Sequence, residues 1–90
     1  MSESFGDLVG QVVVVDTDGP VVYLGRLVES GEGFLLLEDV DVHNVGDSTT
    51  SRERYIIEAK KLGVRANRKR ARVSLERVVG VSRLEDVIEY

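Results

Sequence analysis

The stretch VVYLGRLVE, residues 21–29, combines the residues of a β-strand with a glycine in its interior. A glycine inside a strand normally lowers the stability of the strand, because it has no side chain to pack. Gly25 therefore predicts a sharp bend in this strand. Bent strands belong to highly curved sheets, which close toward small barrels and so hide their edges.

The segments on either side of this stretch predict four more strands. The predicted strands cover residues 11–17, 34–43, 72–76 and 78–84. Turns are expected at Asp18-Gly19 and at residues 30–33, although Pro20 makes the first one less simple than a two-residue hairpin. The strand at 34–43 starts apolar on both faces and then alternates, so it is expected to begin buried and end half exposed.

One short amphipathic helix is predicted over residues 51–62. Thr50 and Glu53 have the spacing of a capping box, and Gly63 follows as a C-terminal cap. Apolar residues recur every three or four positions across this segment. The adjacent β-branched pair Ile56-Ile57 leaves a strand as the alternative.

Composition predicts one small globular domain, residues 1–90. Apolar residues make up 42% and charged residues 31%, with a single proline, which is the balance of a folded chain. There is no cysteine, which excludes disulfides and thiolate metal sites, and a domain this small often gains stability by self-association. The longest apolar runs are too short to span a membrane and the N-terminus has no signal-peptide pattern, so a cytoplasmic protein is expected.

The net charge of −4 conceals two halves of opposite sign. Residues 1–50 contain ten acids and one base, Arg26, whereas residues 51–90 contain eleven bases and six acids. The halves therefore carry −9 and +5. This separation predicts either an acidic scaffold with a basic contact surface or two faces that attract each other between copies.

The order of these motifs resembles the first conserved block of the Sm and Sm-like family. The matching segments are LVGQVVV at 8–14, DG at 18–19, GRL at 25–27 and LLLED at 35–39. VSL at 73–75 with VVGV at 78–81 is loosely similar to the second block. The resemblance covers most of the chain except residues 44–70, which would form an enlarged loop with a helix between the third and fourth strands.

This resemblance implies a mainly β fold, a small five-stranded, strongly bent open barrel. It also implies assembly into rings, in which the fourth strand of one copy pairs with the fifth of the next. The subunit interface would include the four apolar residues Val73, Leu75, Val79 and Val81. Many such rings bind RNA, but the uridine-binding motifs of the family are missing here: the turn at 31–34 has no Asn, and no glycine follows Arg77. No residue is assigned to a base pocket.

Catalysis and metal binding have weak signals. Asp39, Asp41 and His43 alternate along one predicted strand and would share a face, where they either coordinate a divalent ion or are simply solvated. The solvated alternative is favoured, and no metal or cofactor is assigned. With one histidine, no cysteine and no phosphate-binding glycine loop, the sequence predicts a protein that is not an enzyme and has no small-molecule substrate.

The basic segment 60–77 is the best candidate for a contact surface. Its densest part consists of Arg65, Arg68, Lys69, Arg70 and Arg72. These cations could contact RNA phosphates or form a solvated edge that discourages wrong strand pairing. Alternatively, Arg70 and Arg72 could meet Glu38, Asp39 or Asp41 of a neighbouring copy. Two hypotheses follow: a homo-oligomeric Sm-like scaffold or binding module whose partner is itself or another protein, and a protein that binds the RNA backbone.

Overall fold

The computed structural model describes residues 5–47 and 51–89, which form one five-stranded antiparallel sheet with a helix inserted between the third and fourth strands. The elements are β1 (Val12–Thr17), β2 (Val21–Gly31), β3 (Phe34–Asn44), α1 (Arg52–Leu62), β4 (Arg68–Ser74) and β5 (Val78–Arg83). Single 3-10 turns lie at Gly6–Leu8, Val45–Asp47, Leu75–Arg77 and Leu84–Asp86. The sheet order β4-β3-β2-β1-β5 is that of a small, bent open barrel, so the predicted fold class is confirmed.

Two apolar layers hold the fold together, one on each face of the sheet. The inner core fills the concave side and consists of Val13, Val15, Leu27, Leu35, Leu37, Val40 and Val73. The outer layer lies between the sheet and α1 and consists of Val14, Val22, Leu24, Ile56, Ala59 and Leu84. Because β1 is covered on both faces, consecutive valines in it can all be buried.

Gly25 lies where the pairing of β2 with β3 shifts by one residue. Leu24 pairs with Asp41 and Arg26 with Glu38, so two residues of β3 oppose one glycine. A Cβ built on Gly25 would lie 3.2 Å from the carbonyl oxygen of Glu38 and from two atoms of Val40. The glycine thus lets the bulged third strand approach its neighbour.

The bulge itself is centred on Asp39, which has φ of 53°. Asp tolerates this left-handed conformation better than most residues. As a consequence, the positions of β3 that face the inner core change from odd to even residue numbers. Leu35 and Leu37 face the core before the bulge, and Val40 faces it afterwards.

The predicted helix is confirmed, and the alternative strand is not formed. α1 begins at Arg52, and the Oγ of Ser51 accepts a hydrogen bond from the backbone N–H of Arg54 at 3.2 Å. The capping residue is therefore Ser51; Thr50, the predicted cap, lies outside the described residues. Gly63 ends the helix with φ of 95° and donates its N–H to the carbonyl of Ala59, as expected for a C-terminal glycine.

The predicted bounds of the fourth strand are wrong at both ends. A strand over 72–76 was expected, whereas β4 covers Arg68–Ser74. The basic residues before Arg72 belong to the strand because Arg70 and Arg68 pair with Glu38 and Val40 of β3. β4 is an edge strand, so its charged side chains can remain in water. Leu75 belongs to a 3-10 turn because the Oγ of Ser74 accepts a hydrogen bond from the N–H of Glu76 and starts that turn.

Candidate interaction edges

The sheet ends in two strand edges, the outer edge of β4 and the outer edge of β5. Within the described residues, β4 pairs with β3 alone and β5 with β1 alone. The two strands are joined through the single turn Leu75–Arg77, yet they do not pair with each other. Each edge therefore presents backbone N–H and C=O groups that another strand can bind.

The pairing of β4 with β3 determines which face of the sheet each side chain of β4 occupies. Ala71 and Val73 lie opposite Leu37 and Leu35 and face the inner core. The alternate positions of β4 therefore share the outer face. Those outer positions include Arg70 and Arg72, whereas Arg68 lies opposite Val40, beyond the bulge of β3. All three arginine side chains are exposed.

Glu38 connects two of the basic residues on this outer face. Its carboxylate lies 2.8 Å from Arg26 Nη2 and 3.2 Å from Arg70 Nη2. Arg26 also donates to Asp39 at 3.0 Å, and this hydrogen bond is the main cause that raises the pKa of Arg26 above its ordinary value. Arg70 is thus paired inside its own chain, so Glu38 is not left free for a neighbouring copy.

The other predicted contact residues have different surroundings. The guanidinium of Arg72 lies over the ring of Phe34, 5.2 Å from its centroid. Lys69 is exposed and forms no ion pair within residues 5–47 and 51–89. Arg65 is exposed in the connection between α1 and β4, apart from the strand that carries the other four cations.

The four residues expected at a subunit interface differ in how exposed their side chains are in the single chain. Val73 is 3% exposed in the inner core, and Leu75 and Val81 are half buried against that core. Val79 is 69% exposed on β5. A strand that pairs with the β5 edge would therefore meet Val79 as an exposed apolar side chain, whereas a strand that pairs with the β4 edge would meet Val73 mainly through its backbone.

Asp39, Asp41 and His43 do not form a common ligand set. The carboxylate of Asp39 binds Arg26, whereas Asp41 accepts the hydroxyl hydrogen of Tyr55 and a hydrogen bond from Asn67 Nδ2 at 3.1 Å. The ring of His43 stacks on Tyr55 with centroids 3.8 Å apart. Among the side chains of the described residues, no group of three or more His, Cys, Asp or Glu could hold a metal ion.

Tyr55 and Asn67 are two polar residues whose roles the sequence did not indicate. Burial, followed by the hydrogen bond to Asp41, raises the pKa of Tyr55 well above its ordinary value. Asn67 donates its backbone N–H to the carbonyl of Val40 at 2.8 Å, and its Oδ1 accepts from the N–H of Val42 at 3.0 Å. The Asn67 side chain thus continues the pairing of β3 beyond the start of β4, and nothing in a basic, polar stretch would reveal this.

A shallow cleft of about 250 Å³ opens beside this contact, between α1 and the connection that leads to β4. Its polar lining comes from Asp41, Tyr55, Glu58 and Arg65, and Leu62 contributes apolar surface. Asp41 is already satisfied by Tyr55 and Asn67, so the cleft presents few convergent polar groups for a ligand.

No protein-family model matches this chain, and a search of curated proteins finds no significant match. The resemblance to the Sm-like family therefore stays a prediction. Among the described residues, no helix is long and apolar enough to cross a membrane.

Proposed function

We propose that this chain is a non-enzymatic, Sm-like barrel protein that self-assembles by pairing β4 of one copy with β5 of the next. The assembly, a ring in the simplest closed form, acts as a scaffold or binding module. The observation that carries the proposal is the pair of open edges at the two ends of one sheet. Head-to-tail pairing of different edges satisfies both edges of every copy once the ring closes.

The charges of β4 favour this pairing over a symmetric one. Two β4 edges placed side by side would bring two sets of cations together, and like charges on adjacent strands are destabilising. The central part of β5, Val78–Ser82, has no charged side chain. β5 is therefore the compatible edge for β4, while the cations of β4 oppose its pairing with itself.

The resemblance to Sm-like proteins supports the same arrangement. It implies rings built by the fourth and fifth strands, and in this chain those are the two strands that end the sheet. The resemblance comes from the order of residues in β1 to β3, whereas the free edges come from the geometry of the sheet. Two separate kinds of observation thus favour one mode of assembly.

A matched pair of substitutions tests the proposal. Val79→Lys places a cation on the β5 edge, where β4 of the neighbour would bring further cations, so we expect a clear fall in oligomer mass by light scattering at micromolar concentration. Leu62→Lys makes the same change at another exposed apolar residue, 78% exposed on α1, and should leave the mass unchanged. Equal masses for Val79→Lys and the unaltered chain would contradict pairing through β5.

A second candidate function, binding to the RNA phosphate backbone, is favoured by the four exposed cations of β4, Arg68, Lys69, Arg70 and Arg72. Exposed cations this close together on one strand can neutralise several phosphates. This candidate predicts binding to mixed-sequence RNA that falls steeply with salt. Replacement of Arg68, Lys69 and Arg70 by alanine should weaken binding and reduce the salt dependence, by roughly one unit of slope for each phosphate that is no longer neutralised.

Fluorescence anisotropy at low salt checks the RNA candidate. Arg54→Ala on α1 is the control, since Arg54 is exposed on the helix and outside the basic strand. No binding to mixed-sequence RNA at low salt would eliminate this candidate and leave the assembly proposal unaffected.

A further inference from the structure

The ends of the two open edges carry opposite charge. β4 begins with Arg68 and Lys69, whereas β5 ends with the single base Arg83 and is followed by the turn Leu84–Asp86, which adds the two acids Glu85 and Asp86. All four side chains are exposed. These residues lie at the limits of the edges, where a neighbouring strand would begin or end.

The direction of strand pairing decides which of these charges meet. If β4 and the neighbour's β5 are antiparallel, the start of β4 lies beside the end of β5, so Arg68 and Lys69 lie near Glu85 and Asp86. If the strands are parallel, both ends instead meet the turn Leu75–Arg77 of the other copy, which carries one acid and one base, Glu76 and Arg77, and so offers no net complementary charge. Charge complementarity and the higher stability of antiparallel pairs favour the same direction.

The present partners of these residues leave them available for a second contact. Glu85 and Asp86 both bind Arg83, at 3.2 Å and 2.9 Å, and their side chains remain 66% and 54% exposed. Lys69 has no ion-pair partner within the described residues, and Arg68 donates to the backbone carbonyl of Asn67. Two carboxylates that share one guanidinium retain acceptor sites for further cations.

We propose that Glu85 and Asp86 of one copy bind Arg68 and Lys69 of the next and thereby set the antiparallel direction and the head-to-tail order of assembly. This inference rests on the proposed self-assembly through β4 and β5. The partner is a second copy of this chain, recognised by charge at the ends of its free edges. Arg70 is outside the recognition set, since Glu38 of its own chain already holds it.

Charge reversal and mixing test this inference. The variant Arg68→Glu/Lys69→Glu and the variant Glu85→Lys/Asp86→Lys should each dissociate at a roughly tenfold higher chain concentration than the unaltered chain, because every interface then opposes like charges. Mixing the two variants should restore assembly, with the variants alternating and an even number of chains in every closed particle. Native mass spectrometry reads both the mass and the order.

The control Arg54→Glu/Lys61→Glu makes the same net change as the first variant on the exposed side of α1 and should assemble normally. Circular dichroism establishes whether each variant is folded. If a variant is unfolded, salt titration of the unaltered chain tests the charge contact instead. The contact predicts that the assembly dissociates between low salt and about 0.5 M salt. Assembly of both variants at unaltered strength, a mixture that stays dissociated, or salt-insensitive assembly would overturn the inference. A monomeric unaltered chain would instead refute the proposed function.

Discussion

At the scale of single residues, Tyr55 connects the inserted helix to β3. Its hydroxyl donates to Asp41 and its ring stacks on His43, so one side chain supplies both a polar and an aromatic contact. Burial and the hydrogen bond to Asp41 favour the neutral phenol and raise its pKa. The attachment of α1 to β3 is therefore sensitive to alkaline pH.

The raised pKa of Tyr55 predicts a loss of stability at alkaline pH. Above about pH 10, an unfolded chain releases the phenol proton while the folded chain retains it, so the free energy of unfolding falls as pH rises. Tyr55 lowers the free energy of unfolding by less than about 1.4 kcal/mol per pH unit, because solvent screens this half-buried group. Urea unfolding of the unaltered chain and of Tyr55→Phe at pH 8 and pH 11 measures it.

Tyr55→Phe is expected to lower stability by about 1 kcal/mol at pH 8, where it loses one hydrogen bond. Between pH 8 and pH 11 it should lose less stability than the unaltered chain, because it lacks the titrating group. Parallel losses in the two proteins would contradict the assignment of the alkaline sensitivity to Tyr55.

At the scale of elements, Gly25 fixes the close approach of β2 and β3. Gly25→Ala would add a Cβ at 3.2 Å from three atoms, two of them backbone atoms that cannot rotate away. We expect a loss of roughly 1–3 kcal/mol in the free energy of unfolding, as for other overpacked sites. Chemical denaturation at one fixed chain concentration measures it.

Gly80→Ala is the matched control, since Gly80 also lies inside a strand and a Cβ there would meet nothing within 4 Å. Measured at a chain concentration low enough to keep the chain monomeric, its effect should stay within about 0.5 kcal/mol, or be slightly stabilising. Equal losses for the two variants would show that strand glycines in general, and not the β2–β3 approach, determine the cost.

The sequence predicted the elements that have a strong local signal. β-branched runs located β1, β2 and β5, an apolar run that becomes alternating located β3, and apolar periodicity with Gly63 located α1. The start of β4 had no such signal, because Arg68, Lys69 and Arg70 become a strand through pairing with β3 and through the Glu38 contact. Pairing between distant segments decides such an edge, and local propensity does not.

The candidate interaction edges could be predicted only in part, because they too depend on pairing between distant segments. The basic residues were identified as a group, but the strand assignment that places Arg70 and Arg72 on one face required the register with β3. The bulge at Asp39 separated the expected acidic set, and an aspartate with positive φ has no distinctive sequence pattern.

At the scale of the whole molecule, the acidic and basic halves of the chain fold against each other. Arg70 binds Glu38, Arg52 lies 3.5 Å from Asp16, and Arg77 lies 3.0 Å from Asp18. The charge separation seen along the sequence is thus partly neutralised within one copy. The cationic start of β4 and the acidic turn after β5 are both exposed, at opposite edges of the sheet.

Self-assembly through these edges determines the mass of the purified chain in solution. Sedimentation equilibrium over a dilution series around micromolar concentration should give a discrete multiple of the 10.0 kDa chain mass that dissociates on dilution. The absorbance ratio at 260 and 280 nm of the same sample reports co-purifying RNA. A mass of 10.0 kDa throughout the series, with no larger species at micromolar concentration, would contradict the account.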